Sequence, residues 1–109
     1  MTKENRRSLR ISCSVPVLVR VTKGEPAEAW GIIYDISLVG IKLETRKELE
    51  NKETVFLSFT LGQNFIFENA RGTVVRVSKN AGYSMVGIEF DLAVDKNHLK
   101  DALVSLIEG

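Results

Sequence analysis

Hydrophobic and polar positions alternate with a period of two in places along this chain, within short strand-like runs cut by turn-forming residues. The run Val15 to Val21 is rich in β-branched side chains and reads as a strand. Pro16 places it at a strand start or a sheet edge, because proline cannot donate to a ladder. Lys23-Gly24-Glu25-Pro26 then punctuates the chain. A second strand is predicted from about Ala29 to Tyr34, leading into Asp35-Ile36-Ser37-Leu38-Val39-Gly40 as a turn, after which Ile41 to Glu44 resumes the alternation. Arg46 to Glu53 is polar and reads as an exposed connection with room for a short helical turn. Thr54 to Leu61 predicts a strand, Gly62-Gln63-Asn64 its turn, and Phe65 onward, through Gly72 to Val77, its partner. Lys79-Asn80-Ala81-Gly82 reverses the chain again, and Tyr83 to Phe90 completes the set.

After Asp91 the period changes. Leu99, Leu103, Leu106 and Ile107 fall at i, i+4, i+7 and i+8, the stripe of an amphipathic helix, with Asp95 placed to cap its start. Six evenly spaced strands and one terminal helix predict a mainly β fold, a small six-stranded antiparallel β-barrel with a C-terminal α-helix, rather than a βαβ arrangement. The expected organisation is a single domain: a flexible arginine-bearing segment over 1–12, the barrel over 13–92 and the helix over 95–108. Trp30, Phe56, Phe59, Phe65, Phe67 and Phe90 lie in strand patterns and are expected to fill the core.

Composition narrows the function classes. A chain of 109 residues suits one domain, burying roughly two-thirds of the surface it exposes when unfolded. Its 15 Lys plus Arg nearly balance 14 Asp plus Glu, which is unlike the broad basic field of a nucleic-acid binder. The distribution is uneven, however. Lys3, Arg6, Arg7 and Arg10 stand against Glu4 alone in the first ten residues, so the remaining chain is net acidic. Cys13 is the only cysteine, hence no internal disulfide is possible, and a buried thiol is expected. The single histidine, His98, sits among Lys96, Asn97 and Lys100 and reads as a surface residue. Neither a membrane-length apolar run nor a signal-peptide pattern is seen, so the expectation is a cytoplasmic protein that does not insert into membranes. The chain lacks a Cys-His pair, a second histidine and a glycine-rich phosphate loop, and acidic pairs such as Asp91 with Asp95 or Glu48 with Glu50 read as solvated surface. Enzymatic catalysis is therefore not expected, and no cofactor or metal is implied.

Two clusters carry chemistry. Arginine has a planar, permanently charged fork that bonds a guanine edge through two nitrogens, pairs with phosphate or stacks on a purine. An ionised aspartate only accepts hydrogen bonds and so suits the N–H groups of guanine, while a serine hydroxyl both donates and accepts. Arg6, Arg7 and Arg10, followed by Asp35, Ser37 and Gly40, together suit a small anionic guanine nucleotide. Taken singly each cluster has a plainer reading. The arginines read as a solvated tail, and Asp-x-Ser-x-x-Gly as a turn in which Gly40 supplies a positive φ.

The order of the two clusters on a small β-rich chain resembles the PilZ domain family, bacterial receptors for cyclic di-GMP. The family's RxxxR motif is matched by Arg6-Arg7-Ser8-Leu9-Arg10 and its D/NxSxxG motif by Asp35 to Gly40. Gly31 to Leu43, Gly72 to Val77 and Val86-Gly87-Ile88-Glu89-Phe90 are similar to its strand patterns, so the likeness covers nearly the whole chain. The resemblance implies that Arg6 and Arg10 contact bases and phosphates, that Arg7 reaches or stacks on a second base, that Asp35 and Ser37 bond the other guanine, and that Gly40 keeps the backbone uncluttered. Asn5 and Gly87 fall at neighbouring positions. It further implies a ligand-bridged arginine segment and a separate effector protein, with no nucleic-acid polymer as partner. A PilZ-like interaction module that binds no nucleotide is the alternative.

Overall fold

The computed structural model describes residues 10–24 and 26–108. Alternation becomes architecture in six strands: β1 (Arg10–Val21), β2 (Ala27–Ser37), β3 (Gly40–Thr45), β4 (Thr54–Leu61), β5 (Phe65–Asn80) and β6 (Tyr83–Phe90). All neighbours are antiparallel, and the order β1-β2-β3-β6-β5-β4 closes into a barrel. Closure rests on a short ladder that pairs Leu18 to Arg20 with Phe56 to Ser58. Pro16 lies beyond that short ladder, where β1 pairs with β2 alone, so its missing N–H costs no closing bond.

The inward positions form a close-packed apolar core of Val, Ile and Leu, including Val17, Ile33, Leu43, Leu57 and Val74. One helix, α1 (Lys96–Glu108), buries Leu99, Ala102 and Leu103 and touches β4 and β5. Asp95 caps it as expected, its Oδ1 accepting from the backbone N–H groups of Asn97 and His98, both at 3.1 Å. Ile107 is exposed, so the apolar stripe stops with half-buried Leu106.

Several expectations are corrected. β1 begins at Arg10, so Arg10, Ile11 and Ser12 are strand residues rather than part of the preceding segment. The connection from Arg46 to Glu53 is not wholly exposed, because Leu49 is buried in the core. Backbone bonds from Lys52 N–H to the Val74 carbonyl and from Val74 N–H to the Glu53 carbonyl pin its end to β5. Trp30 does not fill the core and is 67% exposed. The phase of β2 is the cause: Gly31 and Ile33 point inward, which turns Trp30 and Ile32 to the outside. Gly31 is needed there, since a Cβ would lie 2.7 Å from the Glu44 carbonyl oxygen. Phe59 and Phe67 do stack inside, 4.8 Å apart, and Phe90 is buried, whereas Phe56 and Phe65 are half-buried. His98 is more than a surface residue. Its ring packs 4.6 Å from that of Phe67, and Nε2 lies 3.1 Å from the Ile66 carbonyl oxygen, a bond that needs the proton on Nε2.

Candidate ligand-binding groove

Three strand pairs change register on the same side of the barrel. The shifts fall between Ser12 and Val15 on β1, between Ile33 and Asp35 on β2, and between Val74 and Arg76 on β5. Such bulges break the two-residue period and re-aim side chains. Tyr34 and Asp35 both leave the core face, as do Val75 and Arg76. The result is a lateral row of paired positions across five strands: Ser12, Asp35, Lys42, Gly87 and Arg76. The surface is concave there, with a cavity of about 680 Å³ lined by Arg10, Asp35, Ser37, Gly40, Lys42, Arg76 and Gly87 among others. That lies within the roughly 300–1,000 Å³ typical of small-molecule sites.

Arg10 and Asp35 meet at one lip of the groove. The register sets Arg10 opposite Ser37, one pair on from Ile11 and Ile36, and its Nη2 donates to Asp35 Oδ2 at 2.6 Å. The Asp35 hydrogen bond and charge raise the already high pKa of Arg10, which is cationic at any ordinary pH. Asp35 is the more enclosed partner, its side chain 20% exposed against 56% for Arg10. Behind them, burial first and the Asp35 charge second push the Cys13 thiol above its usual range. Burial, then Asp35 and Glu44, do the same to the Tyr34 phenol. Cys13 is half-buried rather than buried, with Sγ 3.8 Å from the Ile33 carbonyl oxygen.

Asp35 to Gly40 is not one turn. Asp35, Ile36 and Ser37 finish β2, and only Leu38 and Val39 connect to β3. The buried Ser37 hydroxyl is engaged by this connection, accepting from Val39 N–H at 3.2 Å and Gly40 N–H at 3.4 Å, and lying 3.4 Å from the Gly40 carbonyl oxygen. Lys96, at the start of α1, donates from Nζ to the Leu38 carbonyl at 2.8 Å, and Phe90 N–H donates to the Val39 carbonyl at 2.8 Å. Gly40 has no positive φ, contrary to the plain turn reading. It is required by close approach instead, for a Cβ would stand 2.1 Å from the Ile88 carbonyl oxygen of β6.

Arg10, Asp35, Ser37 and Gly40 are thus brought together. Arg6 and Arg7 lie outside the described residues. Lys42 and Arg76 were missed by sequence reasoning. Lys42 is legible in hindsight, as an outward position of an alternating strand paired with Asp35, but nothing in the sequence marks the bulge that turns Arg76 outward. Gly87 leaves the floor between them without a side chain, and a Cβ there would meet only ordinary contacts, 3.5 Å from Arg76 Cβ. Among the described residues, no group of three His, Cys, Asp or Glu side chains is placed to hold a metal ion.

A family model described as PilZ domain matches residues 4–109. No curated protein matches the chain. Among solved structures, the PilZ domain of YcgR from Escherichia coli with c-di-GMP has 18% identity and a TM-score of 0.73, covering 96% of this chain and 93% of that one. YcgR of Escherichia coli in complex with c-di-GMP has 21% identity and a TM-score of 0.75, covering 95% and 46%. The inhibitor of motility MotI/DgrA of Bacillus subtilis has 15% identity and a TM-score of 0.70, covering 97% and 51%. The chain spans about half the length of these last two proteins. At such identities the likeness is one of fold.

Proposed function

The chain belongs to the PilZ family, whose model spans residues 4–109, and on that premise we propose that it is a cyclic di-GMP receptor that acts through a separate protein. The observation that carries this reading is the Arg10–Asp35 pair, which joins the end of one motif to the start of the other at the lip of a groove. The PilZ domain of YcgR was solved with c-di-GMP.

The chemistry is an exchange of partners. Without ligand, Arg10 and Asp35 satisfy each other; ion pairs this exposed are screened and easily traded. A phosphate or guanine edge takes the Arg10 fork, and the released Asp35 carboxylate accepts from the N–H groups of a guanine. Lys42, paired with Asp35, and Arg76, beyond Gly87, take the remaining anionic oxygens. Gly87 lets a flat base approach the strand. Ser37 and Gly40 act mainly through shape, holding the Leu38–Val39 connection in place. Arg6 and Arg7 precede Arg10 by four and three residues, which brings them within roughly 14 Å of it along an extended chain. Ligand then fastens the arginine segment to the barrel, and the altered surface is what a partner protein reads. No helix of the described structure is long and apolar enough to cross a membrane, and the working site of such a receptor is the cytoplasm.

Isothermal titration with cyclic di-GMP, with GTP and cyclic di-AMP as competitors, tests the reading. Saturable, guanine-selective binding that fails in Arg10→Ala supports it. A folded protein that takes up no ligand is instead an interaction module, and hydrolysis of the ligand on overnight incubation makes it an enzyme; either result sinks the receptor account.

A further inference from the structure

Beside the groove, on the same strands, the outer surface changes character. On β1 and β2 the paired positions Leu18 with Trp30 and Pro16 with Ile32 turn apolar atoms outward. Trp30, Ile32 and Tyr83 are all exposed, and they border a hollow of about 660 Å³ whose charged side chains are Glu44 and Arg46. A tryptophan held this far into water on a regular strand gains nothing for the barrel, and contiguous apolar surface of this kind marks association sites. Trp and Tyr are also the side chains that most often dominate binding energy.

We propose that this face binds a second copy of the chain in a two-fold dimer. The charge pattern selects the occupant. Glu44, near the end of β3, and Arg46, the first residue past it, are both exposed, with buried Thr45 between them. A two-fold axis passing between them sets each Arg46 against the Glu44 of the other copy, so the patch is complementary to itself, as an isologous interface requires. An unrelated partner would need to supply both signs in matching order. The patch lies on the outer face of the sheet, where β2 is paired with β1 on one side and β3 on the other, so the copies meet through side chains, with each Trp30 lying over the other copy's hollow. The face adjoins the groove through Lys42 and Glu44 on β3 and Met85 and Gly87 on β6, yet uses none of the proposed nucleotide contacts.

Sedimentation equilibrium of the full chain, from micromolar to near-millimolar concentration, is the test. The native chain should show a monomer–dimer equilibrium. Trp30→Glu should weaken it by about thirtyfold or more, with Ile32→Lys as the substitute if that variant is poorly soluble. Glu44→Arg and Arg46→Glu should each weaken it by about three- to tenfold, and the double exchange, which restores self-complementarity, should recover it. Thermal unfolding checks that each variant remains folded. A native chain that stays monomeric throughout, a dimer indifferent to Trp30→Glu, or a double exchange no better than the single ones overturns the proposal.

Discussion

Along β2, β3 and β6 the outside of one barrel carries two contrasting surfaces. At one end Arg10, Asp35, Lys42 and Arg76 gather around a glycine floor, where three register shifts bend the strands. A few residues further on, Trp30, Ile32 and Tyr83 present apolar side chains on regular pairings around Glu44 and Arg46. The inward residues of both stretches serve the same core, so the fold does not require the difference. It arises from where the two-residue period is broken. At the β2 and β5 bulges two successive residues turn outward and polar side chains crowd together over the hollow; where the ladder is regular, each outward position stands alone.

Substitutions at either end put that contrast to the test. The largest effect is expected at Gly40. A Cβ there collides with the Ile88 backbone, which cannot swing aside as a side chain can, so Gly40→Val should cost about 3 kcal/mol or more of stability in urea unfolding and abolish ligand binding with it. Arg10→Ala removes the exchangeable fork but no core contact. It should weaken cyclic di-GMP by about ten- to a hundredfold in calorimetry while leaving the unfolding midpoint nearly unchanged. Lys96→Met keeps the aliphatic stem and deletes the bond to the Leu38 carbonyl. A stability loss of about 1 kcal/mol with an affinity loss of severalfold is expected, since the connection it steadies belongs to the groove. Lys42→Ala should weaken binding about threefold, and the loss should shrink as salt rises, the signature of a screened contact. Trp30→Glu marks the other end of the scale. Measured where the chain is monomeric, it should change ligand affinity by less than about twofold and stability by less than about 0.5 kcal/mol.

The same contrast explains what was legible in the sequence. Alternation, turn residues and the helical stripe were enough for six strands, a closed antiparallel barrel and a terminal helix capped by Asp95, because each depends on local periodicity. Bulges depend on register between distant strands, and a single inserted residue such as Tyr34 or Val75 looks like ordinary strand sequence. Arg76 therefore passed unnoticed as a lining residue, and Asp35 read as turn rather than strand. Trp30 was misread for a related reason. Aromatic character suggested core, but the side it faces follows from phase, and Gly31 beside it holds the inward position. Leu49 was hidden by its charged neighbours, although one buried leucine is enough to anchor a polar connection.

On the proposed reading, the bulged, charged end of this surface takes the nucleotide and the apolar end does not. Amide and indole chemical shifts followed by NMR during titration with cyclic di-GMP separate the two ends. Large, saturable shifts are expected at Asp35 to Lys42, Arg76 and Gly87, with the Trp30 indole N–H and the Glu44 to Arg46 amides nearly still. Shifts centred on Trp30 and Tyr83, or no shifts from a folded chain, would contradict that reading.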